Sequence, residues 1–298
     1  MNITVFTPTF NRAYIIEDLY KSLKRQNYFD FEWLVIDDGS TDNTEEIFKK
    51  WIAENNKFSI RYYKKENGGK CRAINYALDL AKGRLFFTVD SDDYLTDDAL
   101  YKIAKWEESL PKNIKYCGIA GNLGISPFES PNSVFKEGFY EGNLLDRYIN
   151  VDGERALVFY TDVHKKYKYP EFDHENFMTE AVAWNRMAND GYKMRFYNDI
   201  IWIYEYRSDG LTSCGSSLFI NNPKGYGLWL KERIQFMNLS LFYKMKAYYS
   251  FTCEMSAKYN CYMIADFINV NLFVIIIFYL IHKIKVNLNT HKPQVSEN

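Results

Sequence analysis

The sequence predicts an α/β protein: a mainly parallel sheet flanked by helices, followed by a helical C-terminal extension. Three observations carry this expectation. Short apolar runs alternate with stretches of helical period through about the first hundred residues. Two acidic clusters, Asp37-Asp38 and Asp90 to Asp93, stand where apolar runs end. Past Pro223 the apolar spacing is helical, and it includes a run from Leu272 to Ile281 in which only Tyr279 carries a polar atom.

Taken in order, Ile3 to Thr7 reads as a strand and Ala13 to Arg25 as a helix, with Ile15, Ile16, Leu19 and Leu23 near helical spacing. Trp33 to Ile36 is a short apolar strand ending in Asp37-Asp38-Gly39-Ser40. A helix opens at Ser40-Thr41-Asp42, with Glu45 and Glu46 in its early turns, where acidic groups favour the helix dipole. Phe58 to Tyr63 is a third strand, Asn67-Gly68-Gly69 a turn, and Lys70 to Lys82 a helix closed by Gly83. Leu85 to Val89 is a fourth strand, running into Asp90-Ser91-Asp92-Asp93. Strands linked by helices must run parallel and be covered on both faces, and such sheets bind ligands at the carboxyl ends of their strands.

The second half is less regular. Tyr116 to Gly121, Ala156 to Tyr160 and Ile200 to Tyr206 read as strands, and Asn176 to Asn189 as a helix. Arg207 to Pro223 is rich in Ser, Gly and Asn and reads as a loop, suited to a lid. Lys224 to about Lys246 reads as one helix. The expected division is a catalytic domain over 1–222, made of a nucleotide-binding half (1–100) and an acceptor half (101–222). A helical region follows over 223–285, then a polar tail over 286–298.

Composition narrows the class. Apolar residues at 47% and charged residues at 25% fit a folded protein, and a net charge of -1 gives no general attraction to nucleic acid. Five cysteines without a C-x-x-C pair argue against a disulfide framework or a zinc site and fit a reducing cytoplasm. The chain opens on a strand-like run with no signal-peptide pattern. Aromatics at 18% suit either a sugar-stacking cleft or an aromatic core.

Among the motifs, Asp90 and Asp92 are two residues apart at a strand end, so both point to one side. Short carboxylates are hard donors for Mg²⁺ or Mn²⁺, ions usually held by one or two carboxylates plus substrate phosphates. An EF-hand is excluded, because Leu95 and Tyr101 stand where Gly and Glu are needed. A carboxylate in the Asp37-Asp38 turn can accept the N3–H of uracil, an atom cytosine lacks. Thr7-Pro8-Thr9-Phe10-Asn11-Arg12 follows the first strand and is placed to line a base pocket. Gly68-Gly69 before a helix, with Lys70 and Arg72, suits a diphosphate. Neither a P-loop nor a dinucleotide fingerprint is present.

Together the segments TPTFNR, VIDDGSTDNT, ENGGKCRAIN and KGRLFFTVDSDD resemble the nucleotide-binding half of a family 2 glycosyltransferase with the GT-A fold. The resemblance implies an inverting, metal-dependent, hexosyltransferase-like enzyme of the bacterial surface-polysaccharide type. Its donor would be a UDP-sugar, its cofactor Mn²⁺ or Mg²⁺, and its acceptor a carbohydrate or lipid-linked glycan hydroxyl. By position it assigns Asp38 to the uracil, Asp90 to the ribose and Asp92 to the metal. The implied nucleotide-binding set is Thr7, Pro8, Thr9, Asn11, Arg12, Asp38, Lys70, Arg72, Asp90 and Ser91. The family's base motif, often Glu-Asp with Arg six residues after the Asp, falls on Thr179-Glu180 and Arg186, with Thr179 in place of the Glu and Glu180 in place of the Asp; the resemblance implies Glu180 as the base, Glu175 as the reserve and Asp173 as a weaker alternative. A bacterial subgroup is similar through TEAVAWNR, Asp209-Gly210-Leu211-Thr212-Ser213 and Asn222-Pro223-Lys224-Gly225.

Two rival readings stand beside this one. A non-catalytic nucleotide-sugar-binding or scaffold subunit would be expected to lack the metal and base carboxylates. A sugar nucleotidyltransferase would want a glycine-rich loop after the first strand, where Thr7 to Arg12 has no Gly. The segment from about Ile264 to Lys285 is expected to make peripheral contact with the inner face of the cell membrane, since Leu272 to Ile281 is too short to span a bilayer. Packing on the sheet domain or across an oligomer interface would cover the same run.

Overall fold

The computed structural model describes residues 1–207, 210 and 215–290. The chain divides into two compact units: Met1–Glu171 with Ala183–Gly210, and Phe172–Val182 with Leu211–Asn298.

The first unit is built on a nine-stranded sheet. Its strands are β1 (Ile3–Thr9), β2 (Phe31–Asp37), β3 (Ser59–Lys64), β4 (Leu85–Thr88), β5 (Tyr94–Leu95), β6 (Tyr116–Gly124), β7 (Phe139–Gly142), β8 (Arg155–Tyr160) and β9 (Lys193–Ile203). The order is β3-β2-β1-β4-β8-β6-β9-β5, with β7 also on β9. Its helices are α1 (Glu17–Lys24), α2 (Thr44–Ala53), α3 (Lys70–Leu80), α4 (Ala99–Glu108) and the short α5 (Thr161–His164); α6 (Ala181–Asn189) begins in the other unit. Strands β1 to β4 pair in parallel, because each is reached through a helical crossover. Beyond β4 the sheet is mixed: β8 is antiparallel to β4 and β6, while β6 and β9 are parallel. Thr9 pairs with Asp37 and Asp37 with Lys64, so the carboxyl ends of β1, β2 and β3 are level.

Much of the aromatic content of this unit is core. Tyr20 stacks on Trp51 with centroids 4.2 Å apart, Trp33 meets Phe48 at 5.1 Å, and all four are buried under α1 and α2. The apolar run Trp33 to Ile36 extends back through Phe31 and a fully buried Glu32. Glu32 accepts from Thr4 Oγ1 at 2.7 Å, from the Lys82 backbone N–H at 2.8 Å and from Arg61 at 2.9 Å. Removing one partner of a buried pair leaves the other uncompensated. Glu32→Ala is therefore expected to cost about 3 kcal/mol, read as a lower urea midpoint; a midpoint shift within error would show the network to be dispensable.

Local punctuation differs from the sequence expectation in three places. Helix α2 opens at Thr44 rather than at Ser40: Ser40 Oγ accepts from Asn11 N–H, while Asp42 accepts from Ala13 N–H through Oδ2 and from Thr44 N–H through Oδ1, so it serves both the loop and the helix start. Gly83 does not close α3, which ends at Leu80. A Cβ there would lie 2.2 Å from the Thr4 backbone nitrogen, so Gly83 is required by close approach. The helix expected from Asn176 begins only at Ala181.

The second unit holds the segment 172–182 and the helices α7 (Ser216–Ile220), α8 (Pro223–Phe236), α9 (Leu241–Met255), α10 (Cys261–Ile268) and α11 (Leu272–Thr290). The single helix expected from Lys224 to Lys246 is two, α8 and α9. They break at Asn238, whose φ of 46° is left-handed, and restart after an extended Ser240. Leu230, Ile234, Phe251, Met255, Ile264, Ile268 and Ile275 form this unit's core. Among the described residues no helix is long and apolar enough to cross a membrane. Within the expected lid loop, residues 216–220 are α7; Ser208, Asp209 and Leu211 to Cys214 lie outside the described residues.

Candidate active site

Four loops gather at the carboxyl ends of β1 to β4, and side chains tie each to the next. Asn11 has a left-handed φ of 53°. Its N–H donates to Ser40 Oγ at 2.8 Å, and its Oδ1 accepts from Thr41 N–H at 2.8 Å, joining the loop after β1 to that after β2. The Asp38 carboxylate joins the loop after β2 to that after β3. Its Oδ1 accepts from Lys65 Nζ at 2.6 Å and from Gly68 N–H at 3.0 Å, and its Oδ2 from Gly69 N–H at 2.7 Å. Lys70, the first residue of α3, reaches Asp90 at 2.7 Å and closes the series onto the loop after β4.

Glycine is required twice in this arrangement. Gly39 has φ 92°, and a Cβ there would stand 3.0 Å from the Asn67 nitrogen; Gly69, with φ 89°, turns the chain into α3. The result is a helix N-terminus and a set of cations held around Asp38, Asp90 and Asp92. Backbone N–H groups at such an end favour anions.

The structure divides the residues marked by the sequence. Asp37 is fully buried and structural: it accepts from Ser40 N–H at 2.7 Å and from the Tyr62 hydroxyl. Thr7 is also fully buried, with its hydroxyl accepting from Trp33 Nε1 at 3.0 Å, so it lies beneath the site and not at its surface. Thr9 Oγ1, at the end of β1, is buried and has no hydrogen-bond partner among the described residues. Pro8, next to it, is half-buried, as is Arg12, whose Nη1 donates to Tyr14. Ser91 is buried in the turn after β4. Arg72 donates to the Gly68 carbonyl at 3.0 Å and pairs with Glu171 at 3.2 Å. Lys65 carried no motif in the sequence, yet it is the cation on Asp38. Its signal was its place at the end of an apolar run facing the acidic end of another.

Asp90 and Asp92 are brought together by a turn and not by strand geometry, since β4 ends at Thr88 and Asp93 N–H donates back to the Asp90 carbonyl at 3.3 Å. Burial, and then the neighbouring Asp90 charge, push the Asp92 carboxyl above its usual range; Arg12 and Lys70 oppose the shift. Asp93 is pushed up to about 8 by burial and by both neighbours, and it accepts from Trp202 Nε1 at 2.8 Å. Among the described residues no side chain bonds Asp92 directly, and no group of three or more His, Cys, Asp or Glu residues forms a metal cluster. A half-buried carboxylate beside a second one fits a divalent ion that takes its remaining ligands from substrate oxygens.

The expected base motif lies in the second unit. Glu180 is half-buried at the start of α6, where Thr179 Oγ1 accepts from Ala181 N–H at 3.3 Å. The segment just before it is gripped by the beginning of α8. Asn222 Oδ1 accepts from the N–H groups of Asn176 and Phe177 at 2.9 and 3.0 Å. In return, the buried Glu175 carboxylate accepts from Lys224 and Gly225 N–H at 2.8 and 2.9 Å. Glu175, the reserve base of the sequence reading, is thus a helix cap, and Asn222-Pro223-Lys224-Gly225 is the other half of the same clasp. Asp173 lies in the turn before it and is exposed.

The family model described as Glycosyl transferase family 2 matches residues 4–167, more than half of the chain. Chondroitin synthase of Pasteurella multocida (strain Pm70) is 34% identical over 181 residues, which are 61% of this chain and 15% of that protein. The chain thus spans a small part of that relative. A GalNAc(5)-diNAcBac-PP-undecaprenol beta-1,3-glucosyltransferase of Campylobacter jejuni subsp. jejuni is 26% identical over 281 residues, 87% of this chain and 86% of that one. Among solved structures, S. aureus TarS 1-349 in complex with UDP-GlcNAc has a TM-score of 0.63 at 18% identity, covering 100% of this chain and 93% of that one. That likeness is one of fold, the GT-A fold.

Proposed function

The chain belongs to glycosyl transferase family 2, and from that premise we propose that it is an inverting glycosyltransferase moving a sugar from a UDP-sugar to an acceptor hydroxyl in surface-polysaccharide or glycolipid assembly. The observation that carries the reading is the ring of ties from Asn11 through Asp38 and Lys70 to Asp90, beside an Asp92 carboxylate that no side chain among the described residues bonds directly. It gathers, at the ends of four parallel strands, the groups to which we assign the uridine, the diphosphate and the metal. The relatives' names, a polysaccharide synthase and a glucosyltransferase on a polyprenyl diphosphate, support the same class.

The geometry supports the following assignment of roles. Of the roughly four lone-pair directions of a carboxylate, three on Asp38 are used, and Oδ2 keeps one for the uracil N3–H. Thr9, whose carbonyl accepts from Asp38 N–H at 2.8 Å, carries a hydroxyl with no partner among the described residues. Asn11, Arg12, Pro8 and Ser91 shape the nucleoside pocket, and Asp90, oriented by Lys70, takes the ribose. Lys70 and Arg72 face the diphosphate at the α3 N-terminus. Asp92 holds Mn²⁺ or Mg²⁺, which when bound would stabilise the charge gathering on the departing UDP. Glu180 removes the proton from the acceptor hydroxyl, which attacks the anomeric carbon opposite the diphosphate; one such displacement inverts the centre with no covalent intermediate. The clasp of Asn222 and Glu175 holds the chain leading to Glu180. The acceptor is a carbohydrate or lipid-linked glycan, worked on at the cytoplasmic face of the cell membrane.

The test is a donor panel of UDP-, GDP- and CDP-sugars, scored for hydrolysis with Mn²⁺, with Mg²⁺ and with excess chelator. Turnover of UDP-sugars alone, lost on chelation, is the expected result. Equal turnover of CDP-sugars would remove the role given to Asp38, and full activity in chelator the role given to Asp92.

A further inference from the structure

Helix α11 wears its apolar side outward. Ile275 is fully buried, and Leu272 and Phe278 pack with it on the core of the second unit. Phe273, Ile277, Leu280, Ile281, Ile284 and Leu288 are between 39% and 69% exposed. At about 100° per residue these six fall in one arc of about 100°, running about 24 Å along the helix. A surface helix ordinarily turns its polar face to water, and a continuous apolar stripe marks a contact surface. On the same wheel Lys283 and Lys285 fall on opposite flanks of the stripe. Both are exposed, and neither has an acidic partner among the described residues. No Asp or Glu occurs anywhere in α11. Its neighbour α9 meets it through Tyr249 against Phe278 and Lys285. In its first turns α9 adds an exposed Leu241, Phe242 and Tyr243, with Lys244 and Lys246 following.

We propose that α11 is an interfacial helix: its apolar stripe sinks into the surface of an anionic bilayer while Lys283 and Lys285 reach the headgroups on either side. A helix lying in the interface needs an apolar face bounded by cations, not the length to span. A second copy of the chain is the poorer occupant. Pairing about a twofold axis sets the same patch against itself, which brings lysines toward lysines with no acidic residue on α11 to meet them. The surface serves the proposed function by holding the enzyme where a lipid-linked acceptor resides, but its argument is independent of the donor chemistry.

The test uses the full chain with sedimenting vesicles of phosphatidylcholine alone and of phosphatidylcholine with about one-third phosphatidylglycerol, with donor hydrolysis followed in the same samples. Binding to the anionic vesicles should exceed that to neutral ones by about tenfold or more, the effect of two lysines at a charged surface, and should weaken with salt. Leu280→Glu with Ile284→Glu should abolish vesicle binding. Lys283→Glu with Lys285→Glu should remove the preference for anionic lipid. Neither pair should alter donor hydrolysis, since these exposed residues take no part in the donor site. Absence of binding to either vesicle overturns the proposal. So does a dimer, seen by light scattering, that the Leu280 and Ile284 variant dissociates. Loss of donor hydrolysis in the unaltered chain would bear on the proposed function and not on this surface.

Discussion

Asp92→Asn is expected to lower sugar transfer by roughly 10²–10³-fold, the scale of losing several kcal/mol of transition-state stabilisation, and to leave the protein at least as stable as before. Both halves follow from one geometry. Asp90 is paired with Lys70, whereas Asp92 sits half-buried beside that carboxylate with no side chain bonding it among the described residues. Burial and the neighbouring Asp90 charge both disfavour its ionised form in the folded chain. The amide keeps the shape of the carboxylate but removes a charged ligand and a like-charge repulsion. Transfer with Mn²⁺ and thermal unfolding should be measured on the same preparation. A variant as active as the parent would remove Asp92 from the metal site. A variant that unfolds well below the parent would make the carboxylate structural.

Glu180→Gln should lower transfer by roughly 10²–10⁴-fold, the size of a general-base effect, with UDP affinity unchanged, because the residues proposed to hold the nucleotide all lie in the first unit. Glu175→Gln is the control that separates chemistry from architecture. Its carboxylate accepts the Lys224 and Gly225 N–H groups at the start of α8. The substitution therefore weakens a charged helix cap, about 1–2 kcal/mol. It should appear as a lower unfolding midpoint with kcat per folded molecule close to normal. The opposite pattern, a stable but inactive Glu175→Gln beside an active Glu180→Gln, would move the base to Glu175.

The βαβ rhythm and the acidic ends of its strands were legible in the sequence because they are local. Each strand announces itself by a run of apolar residues, and each turn by Gly, Asp or Asn at short spacing. The same signals located the loops around Asp38, Lys70 and Asp92, and with them the family. They failed wherever a side chain's partner lies far along the chain. Ser40 reads as a helix starter, but its hydroxyl serves the loop at Asn11; α2 opens at Thr44, and Asp42 divides its two oxygens between Thr44 and Ala13. Glu32 interrupts an apolar run and so hid the first residues of β2, although Arg61 makes its burial tolerable. Glu175 had the composition of a base and is a cap, because the N–H groups it serves belong to residues 49 and 50 positions later.

Local pattern, then, determined the four parallel strands β1 to β4, which of their ends bear acid and which family the chain resembles; it left β5, β7 and the first half of β9 unread. Tertiary structure alone decided which carboxylates are already spent. A carboxylate's use depends on the donors within about 3 Å of it, and those donors come from distant segments that only the folded chain brings together. The same holds for α11. Its run of isoleucines told that something apolar must cover it, and only the packing of Ile275 inward determined which face is left for a partner.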